Sequence, residues 1–214
     1  MMVFMACEPN IESSLKGEHL QMSHFVNKSG FLVGYQKLLL NQAFIICVAV
    51  VYICSICALV CCRYDKTVPT NYILLGIFTA STGFLVSEVC VMTDPIIVLE
   101  AAALTFAVTV AITVYAMTTT TDFTICGPFL FIFGFVFVTA GILMSAFGFH
   151  PGLAWSVIGV FLFSFYLLFD TQMIMGGDKK RYQFDEDSYI LAAVALYLDI
   201  INIFLYIIEI LNRK

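Results

Sequence analysis

Five carboxylates stand within the apolar stretches long enough to cross a membrane, which hold no lysine or arginine: Glu88, Glu100, Asp170, Asp199 and Glu209. Asp170 and Asp199 are the two that could work together. On helices entering a membrane from the same side they would lie roughly 8 and 15 Å deep at about 1.5 Å per residue, a difference that helix tilt closes. Two carboxyl groups that meet in a low-dielectric site cannot both ionise easily, so one holds a proton at neutral pH and the two share a short hydrogen bond. Loss of that proton would part them, which makes the pair a pH-sensitive latch. The same oxygens are hard ligands suited to transient contact with Ca²⁺. Asp199, Asn202, Tyr206 and Glu209 fall on one helical face. Such a polar stripe either glues helices together or lines an ion pathway. Glu88 and Glu100 stand near the opposite side, as solvated carboxylates at helix ends or as the mouth of that pathway.

The elements that must carry these groups follow from composition. The chain has 214 residues, 61% hydrophobic and 12% charged, with a net charge of −5. An average soluble domain carries about 25% charge, and a bilayer is the solvent that accommodates such an apolar excess. The negative charge argues against nucleic acid as a partner, because phosphate backbones need a basic face. Crossing about 30 Å of hydrocarbon takes about 20 residues, and six stretches qualify: 43–62, 72–92, 96–117, 124–148, 153–175 and 189–211. All ten Lys and Arg fall outside them. Basic side chains are excluded while acids are admitted, which points to a task that carboxylates perform inside the membrane. The expected architecture is an all-α polytopic membrane bundle of six antiparallel spans (43–212) behind a polar N-terminal leader (1–42), with the lipid bilayer as its first partner. No alternating pattern of a β-barrel is present.

The joints read as helix ends. Asp94-Pro95 supplies an N-cap and a first-turn proline, Asp122 caps the fourth span, and Asp187-Ser188 precede the sixth. Gly76, Ala80, Gly83 and Ser87 on span two, and Gly141, Ser145 and Gly148 on span four, are read as surfaces for close helix packing. Thr105, Thr109 and Thr113 either line a pore or bond back to their own helix. Cys54, Cys57 and Cys61 share a face of span one without a histidine beside them, a poor zinc site. Cys61-Cys62 at the membrane edge, next to Arg63, is a palmitoylation candidate. His19, His24 and His150 lie outside the spans, which leaves no intramembrane base for a Ser–His protease. Asn27-Lys28-Ser29 is an N-glycosylation triplet if the leader is lumenal. The leader lacks the basic-then-apolar order of a cleavable signal. Loop charge does not decide orientation; Lys179-Lys180-Arg181, the densest basic cluster, favours a cytosolic place for its loop and for the one holding Arg63.

Phe169-Asp170-Thr171-Gln172 and Leu196-Tyr197-Leu198-Asp199-Ile200-Ile201-Asn202-Ile203-Phe204-Leu205-Tyr206 resemble the transmembrane Bax-inhibitor-motif (Lifeguard) family. Val98-Leu99-Glu100-Ala101, Thr118 to Phe123, and Cys61-Cys62-Arg63 with Pro69-Thr70-Asn71 extend the resemblance over about residues 43–212. Met175-Gly176-Gly177 is most similar to the glutamate-receptor-associated branch. The resemblance implies a helical bundle, typically of seven helices, that leaks Ca²⁺ across endomembranes of the endoplasmic reticulum or Golgi and dampens cell death. It implies roles for Asp170 and Asp199 as the latch and for Arg63 as its cationic partner, with Ca²⁺ as permeant ion and no cofactor. One departure stands out: only residues 31–41, interrupted by Lys37, precede the first span, where the family has a further helix. Keeping the remaining order would put the leader on the lumenal side. Two other readings compete. One is a non-conducting adaptor that binds other channels or cell-death regulators. The other is an intramembrane aspartyl protease, whose Gly-x-Gly-Asp context is absent around Asp199. The expectation is therefore not an enzyme.

Overall fold

A computed structural model describes residues 42–62, 64–148, 152–176 and 183–213. These residues form six long helices: α1 (Gln42–Val60), α2 (Thr70–Met92), α3 (Pro95–Thr118), α4 (Gly127–Ala146), α5 (Leu153–Met175) and α6 (Tyr189–Leu211). All six are long and apolar enough to cross a membrane, and no strand occurs among the described residues. In hydrocarbon every backbone polar group must be satisfied within the segment, which leaves runs this apolar no alternative to helix. The last two helices begin and end where the sequence places them.

The fourth begins later than expected. Asp122 caps the fourth span as expected, but through the short 3₁₀ turn Phe123–Cys126 that leads into α4 at Gly127: its carboxylate accepts from the Thr124 N–H at 3.0 Å and the Thr124 hydroxyl at 2.6 Å. Asp94 does cap α3, accepting from the Ile96 N–H at 2.9 Å with Pro95 in the first turn. Ser188 occupies the N-cap position of α6 without a side-chain capping bond.

Within the compact unit Val48–Lys214, α5 and α6 pack along one another, and α3 packs against both. Ala101, Leu167, Ile203 and Ile208 fill that three-helix centre. Leu59, Phe78, Ile190 and Val194 join α1 and α2 to α6, while Leu130, Phe137 and Leu162 join α4 to α5. Lipid tails are as apolar as leucine, so close van der Waals fit rather than water exclusion holds such helices together. The outward Phe129, Phe131 and Phe135 of α4 are exposed, as a lipid-facing surface should be.

The tightest approaches fall at glycines that the sequence stripes did not include. A Cβ on Gly159 would come within 2.7 Å of the Tyr206 ring, and one on Gly134 would strike the Tyr166 hydroxyl. The expected packing stripe on α2 is corrected: among the described residues nothing lies within 4 Å of a Cβ built on Gly76 or Gly83. That face is turned outward. Gly148 lies beyond the end of α4, with φ +72° and nothing among the described residues within 4 Å of a Cβ built on it, whereas Gly141 does approach Trp155.

Candidate functional site

The joints α1–α2, α3–α4 and α5–α6 lie on one side. Lys66 and Asp185 pair across two of them at 2.6 Å. Close by, the Tyr189 hydroxyl donates to the Tyr72 hydroxyl at 3.1 Å and accepts from the Asn71 amide at 3.3 Å. From this side α5 leaves and α6 enters, so the fold puts Asp170 and Asp199 on adjacent helices as the sequence requires.

The two carboxyl groups face one another across the α5–α6 interface, within reach of a shared hydrogen bond. An ionised carboxylate only accepts, so a bond between two of them needs one shared proton. Asp199 is 4% exposed, and its Oδ2 is buried with no hydrogen-bond partner among the described residues. An orphaned buried oxygen is rare enough to require a reason, and a task involving a proton, water or ion supplies one. Tyr166, one turn before Asp170, lies within electrostatic reach of both aspartates and donates to the Leu130 carbonyl at 2.7 Å, tying α4 to the same region.

Gln172, two residues beyond Asp170, was legible only as part of a motif. It is 0% exposed. Its Oε1 accepts from the Phe123 N–H at 2.8 Å and its Nε2 donates to the Thr121 carbonyl at 3.1 Å, fixing the end of α5 to the α3–α4 joint. A lone glutamine in an apolar run was the available signal. Thr109 is a second such residue: it lies about as deep along α3 as Asp199 does along α6, at roughly 1.5 Å per residue, and its buried hydroxyl lacks a partner among the described residues. Thr105 instead bonds back to the Ala101 carbonyl.

The side chains of several other expected site residues are engaged elsewhere. Asn202 donates to the Leu198 carbonyl of its own helix at 2.8 Å. Tyr206 stacks on Phe163 and meets Phe137 edge-on. Glu209 pairs with Arg213 at 2.7 Å. Glu88 is half-buried at the end of α2, and Glu100 is exposed at the start of α3, on the opposite side. Cys61 and Cys62 are exposed thiols just past α1. Arg63, Asn27 and the Lys179-Lys180-Arg181 cluster lie outside the described residues. Among the described residues no three His, Cys, Asp or Glu side chains assemble as a metal cluster.

Comparison with known proteins shows the family to which the chain belongs. The sequence model of a family described as "Inhibitor of apoptosis-promoting Bax1" matches residues 20–214, so the match includes part of the polar stretch before α1. The chain is 38% identical over 152 residues to Protein LIFEGUARD 4 of Arabidopsis thaliana, covering 69% of this chain and 59% of that one. It is 39% identical over 156 residues to the BI1-like protein of the same plant, covering 70% and 58%. With Protein lifeguard 3 of Homo sapiens it shares 28% over 170 residues, covering 77% and 54%. The chain thus spans less than two thirds of the length of each of these relatives.

Proposed function

Because the chain belongs to the family of inhibitors of apoptosis-promoting Bax1, we propose that it restrains cell death from within a membrane, as a pH-modulated Ca²⁺ leak. Asp170 and Asp199 are its latch, and the endoplasmic reticulum or Golgi is its compartment. The supporting observation is the meeting of the two carboxyl groups between α5 and α6, with one Asp199 oxygen buried and without a partner among the described residues. While the proton is shared, the contact attracts. With both groups ionised about 4 Å apart, repulsion at an effective dielectric near 20 is about 4 kcal/mol, enough to change how two packed helices meet.

Ca²⁺ takes about 6–8 oxygen ligands, and this pair offers far fewer, so the ion is cargo that passes rather than a resident. Arg63, at the same membrane side by sequence, is the cation that would tune the latch. The test is Ca²⁺ efflux from proteoliposomes across a pH series, with wild type beside Asp170→Asn. The variant should lose the pH dependence and keep its insertion. An unchanged profile would remove the latch. Absence of any flux from correctly inserted wild type would favour the non-conducting adaptor.

A further inference from the structure

Two apolar grooves flank a single ridge of α5. One, between α4 and α5, has a volume of about 420 Å³ and is walled by Phe129, Leu130 and Phe133. The other, between α3 and α5, has a volume of about 330 Å³ and is walled by Ala111, Ile112 and Tyr115. Phe161, Phe165 and Leu168 border both, and their spacing makes them one stripe along α5. Each volume falls in the range of about 300–1,000 Å³ typical of ligand sites, and neither lining contains a charged residue.

Both grooves reach Leu168, one turn short of Gln172, which binds the α3–α4 joint. From Gln172 to Phe161 along α5 is roughly 17 Å at 1.5 Å per residue, a little more than half of the ~30 Å hydrocarbon. An occupant must therefore be apolar along about one leaflet's depth, thin enough for two separate channels, and joined at the end where both channels reach Leu168. We propose that one two-chain phospholipid straddles the α5 ridge, an acyl chain in each groove and its glycerol end beside Tyr115 and the threonines at 118–121. The seated lipid also props α4, whose direct contacts with α5 are confined to places such as Tyr166 on Leu130 and Trp155 on Phe137. This site is independent of the Ca²⁺ reading.

The test uses the full chain in mild-detergent micelles titrated with diacyl phosphatidylcholine carrying a mid-chain diazirine. Adducts are mapped by mass spectrometry. Labelling should be saturable at Phe129, Phe133, Phe161 and Phe165. It should exceed labelling at Leu99 and Phe106, which are 72% and 73% exposed on α3, by about tenfold, the ratio that 1.4 kcal/mol of preference gives. Unlabelled diacyl lipid should displace the probe more effectively than single-chain lysolipid. Ala111→Trp, which fills one groove from its outer edge, should weaken the saturable labelling. Even labelling over Leu99 and Phe106, or equal displacement by lysolipid, would overturn the proposal. Exclusion of the probe together with a two-chain mass per micelle would overturn it in favour of a second copy of this protein.

Discussion

Replacing Gln172 by leucine removes two hydrogen bonds while nearly preserving side-chain volume. The lost bonds are those to the Phe123 N–H at 2.8 Å and the Thr121 carbonyl at 3.1 Å. Each net intramolecular bond contributes about 0.5–1.5 kcal/mol, so the pair amounts to about 1–3 kcal/mol. Thr121 is exposed and Phe123 half-buried, so water partly re-satisfies both backbone groups, and the lower half of that range is expected. At 1.36 kcal/mol per tenfold, this is about a 5- to 30-fold fall in the folded-to-unfolded ratio. Denaturing-detergent titration in mixed micelles, read by far-ultraviolet circular dichroism and Trp155 fluorescence, measures it directly. Gln172→Glu keeps one acceptor for the Phe123 N–H and should fall between wild type and leucine. If Gln172→Leu unfolds at the wild-type midpoint, the buried amide does not fix the end of α5, and the reasoning fails.

Gly159→Ala would bring a Cβ within 2.7 Å of the Tyr206 ring; overpacking of this kind costs about 1–3 kcal/mol, visible in the same titration and absent from a Gly76→Ala control. Asp94→Ala removes the cap on α3 and should cost about 0.5–2 kcal/mol, checked by the same midpoint. Lys66→Ala breaks a pair whose side chains are 32% and 64% exposed; the expected change is below about 1 kcal/mol, and its difference from wild type should shrink as salt is raised.

The spans were legible because hydrocarbon excludes basic side chains: the Lys- and Arg-free stretches at 153–175 and 189–211 coincide with α5 and α6. The Asp170–Asp199 meeting was legible for a related reason, since antiparallel neighbours place residues counted from one joint at comparable depths. What spacing could not give was which face of each helix finds a neighbour. Gly76 and Gly83 look like a packing stripe yet face outward, whereas Gly134 and Gly159, unmarked by any stripe, receive tyrosines from other helices. The late start of α4 shows how local chemistry competes: Asp122 has two Thr124 donors within reach, and the 3₁₀ turn that uses them delays the helix. Gln172 was invisible as an anchor because its partners are backbone groups at Thr121 and Phe123, a relation no periodicity encodes.

The central claim is that a proton shared by Asp170 and Asp199 governs ion flux. The most direct test follows the carboxylic-acid infrared band of the reconstituted protein through a pH titration, with Ca²⁺ efflux recorded on the same vesicles and Asp199→Asn beside wild type. The account predicts a protonated carboxyl band in wild type that disappears with the same midpoint as the change in efflux, and a flat efflux profile in Asp199→Asn. A wild-type efflux profile in Asp199→Asn, or a midpoint unrelated to the carboxyl band, would contradict it.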